Sequence, residues 1–245
     1  MKKKQENFIT LFFILLAAIF TWLVSKNSFF WDTIQLGSKQ AHWFYDNNFR
    51  FLLLPNEIDS GHPPVFGMYL AMLWKIFGKT LPISHWAMFP FIVGIILQSK
   101  NLLLKFVEPV YLLPAMFLFL GDATLLGQAS LVSPDILLVF FFLLSINSIL
   151  SVKKSLLFIS VIGLSLISMR GMMGVLAIFL FALFINYYKN NFRIYCKDNV
   201  KLVFFFILYS LPVILFLFWH YHKTGWIGYH AASNWATSFE TASYF

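Results

Sequence analysis

Eight long runs of apolar residues dominate this sequence and restrict what it can fold into. They cover residues 8–25, 64–78, 83–99, 107–121, 134–151, 155–169, 171–188 and 201–219. A helix that crosses a bilayer needs about 20 apolar residues, with about 17 as the lower limit. Charged residues make up only 11% of the chain, whereas soluble domains carry about 25%. The pattern therefore predicts an all-α polytopic membrane protein.

The positions of the basic residues set the orientation of these runs. Residues 64–78 are the weakest candidate for a span, because the run is short, opens with prolines and is closed by Lys75 and Lys79. If this run lies along the membrane surface, 11 of the 18 basic residues fall in the cytoplasm. If the run spans the membrane, only seven of them do. Cytoplasmic loops are normally the ones rich in Lys and Arg. The sequence therefore predicts seven spans, with the N-terminus inside and the C-terminus outside.

The same placement explains the net charge of +8 without nucleic acid, because the lysines lie between apolar runs. It also makes residues 8–25 a retained anchor, since this run is long for a signal peptide and no small-x-small cleavage site follows it. We expect an integral, multi-pass protein of the plasma or inner membrane, folded as a single transmembrane domain over residues 1–245. The membrane lipids themselves are then predicted partners.

The polar segments complete the predicted topology. Residues 26–82 form an extracytoplasmic loop, in which residues 33–48 have the mixed aromatic and polar character of an interfacial helix. Residues 122–133 and 169–171 are predicted as turns, and residues 220–245 as an extracytoplasmic tail or truncated loop. Within the interfacial helix, the aromatic residues expected at headgroup depth are Trp43, Phe44 and Tyr45.

Acidic residues and histidines collect on the extracytoplasmic side of this topology. Seven of the ten acids and all six histidines fall there. Asp32 follows the first span, and Asp59 and His62 lie in the turn Asp-Ser-Gly-His-Pro-Pro. An acid at a helix mouth, followed by a stiff turn with an acid and an imidazole, is the first place to expect a reaction.

Several motifs recur here in an informative order. They are an Asp soon after the first span, a surface helix, x-Pro-Pro opening an aromatic-rich segment that ends in Phe77-Gly78, and an Asp opening the fourth span. In this order they resemble the C-type (GT-C) polyprenyl-phosphate-sugar glycosyltransferases. The closest type is family 39, the protein O-mannosyltransferase and lipid A aminoarabinose transferase group. The resemblance covers all 245 residues but only the N-terminal module of that family.

The resemblance implies roles for individual residues. Asp32 matches the first-loop acid of the family, which the resemblance implies is the general base, although Trp-Asp-Thr replaces the Asp-Glu of many members. Asp135, at the head of the fourth span, matches the second important carboxylate. The remaining positions imply contacts with the substrate or the lipid phosphate. They are His62, where many members have Lys before Pro-Pro, with Asp59 beside it, Arg170 before a glycine, and His222 and Lys223 after the last span.

The chemistry accounts for these residue types independently. A carboxylate can take the proton of the acceptor, and cationic donors can hold the departing phosphate. Because the site faces away from the cytoplasm, nucleotide sugars are out of reach and a polyprenyl-phosphate-linked sugar is the economical donor. A protein, lipid or glycan would be the acceptor, and direct attack would invert the anomeric centre.

Each candidate residue also has a purely structural interpretation. Asp32 can cap a helix, Asp135 can favour a helix dipole, Arg170 can reach lipid headgroups, and His62 can be an ordinary turn residue. The alternative function is a non-catalytic GT-C-like subunit of a larger complex. A transporter ranks last because the spans contain almost no ionisable groups. No cofactor is certain from the sequence. A divalent metal held by His220 and His222 with an Asp or Glu of the first loop stays open as an alternative, although the i, i+2 spacing of these histidines at a helix end is poor for metal binding.

Overall fold

The computed structural model describes residues 2–30, 32–189 and 192–228, and all regular structure within them is helical. The helices are α1 (Lys2–Val24), α2 (Gln40–Asp46), α3 (Val65–Phe77), α4 (Leu81–Leu103), α5 (Leu112–Leu120), α6 (Ala123–Ala129), α7 (Pro134–Leu150), α8 (Lys154–Ile167), α9 (Met169–Lys189) and α10 (Phe192–Thr224). A π-helix at Ile34–Lys39 precedes α2, and a 3-10 turn at Pro109–Tyr111 precedes α5. An all-α protein with membrane-spanning helices, as expected from the apolar runs, is confirmed.

The number of spans differs from the prediction. In the described part of the chain, four helices are long and apolar enough to cross a membrane, namely Lys3–Val24, Leu81–Leu103, Met169–Tyr188 and Asn199–Thr224. Helices α7 and α8 have 17 and 14 residues, so they reach only about 25 and 21 Å at 1.5 Å per residue. A hydrocarbon core is about 30 Å thick. The structure therefore supports four spans, or five with the bent pair below, rather than seven.

A bent pair of helices replaces one predicted span and its turn. The segment Pro109–Leu120 meets Ala123–Ala129 at an angle of 66°, and the two together are long enough to count as one broken span. Residues 122–133 were expected to form a polar turn, but Ala123–Ala129 within this stretch form helix α6. The Asp122 carboxylate accepts the Leu125 N–H at 2.9 Å and caps this new helix. A good N-cap directly after α5 thus starts a helix where composition alone indicated a loop.

Helix α4 holds the bundle together, because it packs against α1, α3, α5 and α7. Helix α8 packs on the other side of α7 and also contacts α9 and α10. Gly94 and Gly163 lie in these interfaces, and a Cβ at either position would collide with Phe140 or Phe141 of α7. The close approach of α7 to both neighbours brings the start of α7 near the start of α9.

The first loop packs as part of the core rather than lying loosely on the membrane. Phe44, Phe66 and Trp74 are buried in one cluster with Met88 of α4. The side chain of Phe44, expected at headgroup depth, has 0% exposure and packs against protein. Residues 64–78 form α3, which at 13 residues falls among the shorter apolar helices, as expected for a run that does not span. This packing fixes the loop that contains the site residues.

Candidate functional site

Three charged side chains meet where α7 and α9 begin. Arg170 Nη2 donates to Asp32 Oδ2 at 2.7 Å, and Arg170 Nη1 donates to Oδ1 and Oδ2 of Asp135 at 3.2 and 3.1 Å. The two carboxylates expected to be catalytic thus share one guanidinium. Two carboxylates and one guanidinium give this group a net charge of −1.

These ion pairs are partly exposed, which limits their effect on stability. The side chain of Arg170 is 53% exposed, and those of Asp32 and Asp135 are 31% and 27% exposed. Ion pairs in such positions contribute about 0–1 kcal/mol each, because water screens them. Their main effect is geometric, since a guanidinium between two carboxylates fixes the direction of both.

A short turn positions Asp32. The Thr33 hydroxyl donates to the Phe30 carbonyl oxygen at 2.7 Å and accepts the Phe30 N–H at 2.8 Å. The π-helix that follows has Thr33 at its cap position, with no side-chain cap. Asp32 therefore does not act as the helix cap that its sequence position also allowed, and its carboxylate points to Arg170 instead.

The start of α7 positions Asp135. Ser133 is the N-cap, with its hydroxyl accepting the Asp135 N–H at 3.2 Å and donating to Gln128 Oε1 at 2.6 Å. Pro134 occupies the first helical turn, where its missing N–H costs nothing. This cap orients the first turn of α7 so that the Asp135 carboxylate reaches Arg170.

The start of α9 positions Arg170, and it differs from the expected turn. Ser168 alone is extended, with φ −166° and ψ 167°, and α9 begins at the next residue. Arg170 thus lies in the first turn of α9 rather than in a loop. Any Cβ at Gly171 would collide with the Leu164 carbonyl oxygen, so glycine permits this abrupt junction of α8 and α9.

The charged group lines a cavity of about 230 Å³. Its walls include Gln128, Leu131 and Ser133 in addition to the three charged residues. Asp32 Oδ1 is buried and has no hydrogen-bond partner among the described residues. A buried acceptor without a donor is costly, and the described residues supply no donor to offset that cost.

His62 contacts the same junction through its ring. Its Nδ1 accepts the N–H of Met169 at 3.0 Å, which requires an unprotonated Nδ1. Burial lowers the pKa of His62, the Arg170 charge lowers it further, and Asp32 and Asp59 oppose the shift. The ring is therefore neutral near pH 7, and it can offer a phosphate one neutral N–H rather than the positive charge that a lysine would supply.

The contribution of His62 to stability is expected to depend on pH. At pH 7.5, His62→Ala should be about 1 kcal/mol less stable than wild type, because the Met169 N–H loses its acceptor. The folded-state pKa lies below the ordinary 6.5, so this contribution is complete above pH 6.5 and disappears as the pH falls through the folded-state pKa. Thermal unfolding of both proteins between pH 5 and 7.5 should show the difference narrowing at low pH. A difference that widens toward pH 5 would contradict this assignment, and His42→Ala, which removes an exposed ring bonded to Ser38, is the matched control.

Asp59 does not reach the charged cleft but pairs with a different residue. Its Oδ2 lies 2.9 Å from His220 Nε2, and its Oδ1 accepts the Gly61 N–H at 2.8 Å. His220 Nδ1 lies 3.1 Å from the Trp226 carbonyl oxygen. The Thr224 hydroxyl also lies 3.3 Å from His220 Nδ1. The side chains of Asp59 and His220 are each 4% exposed, so the two form a buried hydrogen-bonded pair.

The pair joins the first loop to the end of the last helix. Gly61 has a φ of +73°, and a Cβ there would lie 2.6 Å from the Gly228 carbonyl oxygen. Only glycine therefore fits this approach without strain. Sequence reasoning had assigned no such role to His220, because 161 residues separate it from Asp59. The signal in the sequence was a histidine near the end of an apolar helix.

The remaining candidates lie elsewhere. His222 and Lys223 are exposed at the end of α10, and no hydrogen bond or ion pair joins them to Asp32, Asp135 or Arg170 in the described part of the chain. Residues 229–245 of the expected tail lie outside the described residues. Within residues 2–30, 32–189 and 192–228, no group of three or more His, Cys, Asp or Glu side chains could hold a metal ion.

Comparison with protein-family models, curated proteins and solved structures gave no match for this chain. The function must therefore be argued from the geometry of the cleft. Its distinctive features are two carboxylates, one exposed guanidinium and one buried carboxylate oxygen without a donor. A carboxylate in such a set can accept a proton, and the guanidinium can donate hydrogen bonds.

Proposed function

We propose that this protein is a membrane glycosyltransferase that moves a sugar from a polyprenyl-phosphate carrier to a protein, lipid or glycan acceptor. The observation that supports it most is the meeting of Asp32, Asp135 and Arg170 in one cleft. The proposal includes a GT-C-like arrangement of the helices and a cleft that faces away from the cytoplasm. It also places the protein in the plasma or inner membrane.

Asp32 is the general base in this proposal. The acceptor hydroxyl loses its proton to the Asp32 carboxylate, whose side chain lines the cleft and is 31% exposed. The acceptor oxygen then forms a bond to the anomeric carbon, and the bond from that carbon to the phosphate oxygen breaks. The lipid phosphate leaves with the electron pair of the broken bond. Because the acceptor attacks the anomeric carbon directly, from the face opposite the phosphate, the configuration at that carbon inverts.

Arg170 and Asp135 have supporting roles. The exposed guanidinium can donate to the phosphate as negative charge develops on it. Asp135 contacts Arg170 through both carboxylate oxygens, which fixes the plane of the guanidinium. His62 can add one neutral N–H from Nε2, while the exposed His222 and Lys223 remain candidates for contact with the carrier.

Sugar transfer tests this function directly. Purified protein in proteoliposomes would receive polyprenyl-phosphate hexoses and pentoses with a radiolabelled sugar, together with a cell-envelope extract as the source of acceptors. We expect label to move from the lipid donor to the extract, with release of polyprenyl phosphate and inversion at the anomeric carbon. Transfer from nucleotide sugars alone would contradict the proposal. Empty liposomes give the background.

A non-catalytic subunit is the second candidate, and one observation favours it. Arg170 of α9 pairs with Asp32 of the first loop and with Asp135 of α7. In a non-catalytic subunit, the sole role of these three residues would be to hold the three elements together. In that case no donor would be consumed. Arg170→Ala would then reduce thermal stability without affecting any transfer reaction.

A further inference from the structure

A second cavity lies at the opposite end of α7 from the charged cleft. Asp135 stands at the start of this 17-residue helix and Lys153 follows its end, so about 25 Å separate them along the axis. The cavity has a volume of about 330 Å³ and lies between α8, α9 and α10. Leu157, Ala182 and Phe206 are among the apolar side chains that line it.

Lysine side chains surround the mouth of this cavity. Lys153 and Lys154 both line it and are exposed. Lys154 Nζ lies 5.2 Å from the centre of the Phe205 ring, which is part of the apolar wall. Nearby, Lys105 Nζ donates to the Ser151 hydroxyl at 3.0 Å. No acidic side chain lines the cavity or pairs with these three lysines in the described part of the chain.

The start of α8 makes this concentration of positive charge unusual. The helix begins at Lys154, with no acidic residue in its first turn and no side-chain cap at Lys153. The N-terminal end of a helix carries partial positive charge, so lysines there are unfavourable unless an anion lies near them. Across the cavity from the lysines, Asn186 donates to Asn199 at 2.7 Å and adds a further polar group.

The combination of an apolar cavity with a cationic rim selects a ligand with one apolar and one anionic part. We propose that this cavity binds one anionic phospholipid, with the phosphate between Lys153 and Lys154 and an acyl chain between α8 and α10. Basic sites between membrane helices on the cytoplasmic side commonly recognise anionic headgroups. The proposal rests on the cavity and on the two lysines at its rim, and it holds on either side of the membrane. This site is separate from the charged cleft and does not depend on the proposed transferase activity.

Lipid titration followed by native mass spectrometry tests the site. Wild-type protein in detergent would be titrated with phosphatidylglycerol and with phosphatidylcholine of the same acyl chains. A lysine near an anionic surface contributes about 1 kcal/mol, which corresponds to about fivefold in affinity. We therefore expect Lys153→Gln and Lys154→Gln each to weaken phosphatidylglycerol binding about fivefold, and the double variant about thirtyfold. Lys26→Gln, an exposed lysine after α1 and outside this cavity, is the matched control and should bind as wild type does.

Two further measurements distinguish binding of the whole lipid from binding of its headgroup alone. Leu157→Trp fills the cavity and leaves both lysines in place, so it should reduce phosphatidylglycerol binding at least tenfold if the chain enters the cavity. Glycerol 3-phosphate at millimolar concentration should not displace the lipid. Equal affinity for the two lipids in wild type, unchanged binding by the double lysine variant or by Leu157→Trp, or displacement by glycerol 3-phosphate would each overturn the proposal. Size-exclusion profiles identical to wild type establish that each variant is folded.

Discussion

Asp59→Ala is expected to lower the free energy of unfolding by about 2–6 kcal/mol, because it leaves two buried N–H donors without an acceptor, at about 1–3 kcal/mol each. Asp59 and His220 are each 4% exposed and lie 2.9 Å apart. Without the carboxylate, both His220 Nε2 and the Gly61 N–H would lose their acceptor. Reversible unfolding of the detergent-solubilised protein, monitored by circular dichroism, would measure the change.

The exposed pair Asp46 and Lys79 provides the matched control. Asp46 is also in the first loop, but its side chain is 61% exposed and lies 3.4 Å from Lys79. Asp46→Ala should therefore cost at most about 1 kcal/mol. A double-mutant cycle with His220→Ala should show strong coupling, since removing both partners leaves no imidazole donor unsatisfied. An Asp59→Ala variant within 1 kcal/mol of wild type would contradict the buried hydrogen-bonded pair.

Asp32→Asn is expected to reduce sugar transfer by about 10²–10⁴-fold, the usual contribution of a general base. An asparagine keeps the shape of the side chain and can still accept a hydrogen bond from Arg170 through its amide oxygen. The Arg170–Asp135 contact remains, so binding of the lipid donor should change little while kcat falls. Initial rates in the proteoliposome assay, at several donor concentrations, would separate these two effects.

Asp46→Asn again gives the comparison, because it removes an exposed carboxylate of the same loop far from the charged group. Its rate should match that of wild type. An Asp32→Asn variant within threefold of wild-type kcat would exclude Asp32 as the base. If Asp32→Asn loses thermal stability together with activity, the result would instead favour a structural role for Asp32, Asp135 and Arg170.

Sequence reasoning located the helices better than it counted the spans. Each apolar run coincides with a helix or, at residues 107–121, with a 3-10 turn and α5. The count failed mainly because the runs 107–121 and 155–169, at 15 residues each, were counted as spans although a span needs about 17 or more. Residues 155–169 read as one run, but the chain is extended at Ser168 and α8 ends at Ile167. Two short helices, α7 and α8, therefore took the place of two expected spans.

The candidate site was predictable as a set of residues but not as a set of contacts. Asp32, Asp135 and Arg170 stood out because each is charged and lies at the edge of an apolar run. Their sharing of one guanidinium could not be read from the chain, because 138 residues separate Arg170 from Asp32. For the same reason Asp59 was grouped with His62, its neighbour in sequence, whereas its carboxylate is bonded to His220.

The sequence by itself determined that this chain is helical and belongs in a membrane, because those properties follow from composition and from the length of apolar runs. It also identified the polar groups at the helix ends, where charged residues avoid hydrocarbon. Only the tertiary structure decided which of these groups meet. The close packing of α7 against α4 and α8 brings Asp135 to Arg170, and the docking of the first loop brings Asp32 to the same guanidinium. Hydrogen bonds form between atoms about 3 Å apart in space, and sequence spacing does not specify which distant residues come that close.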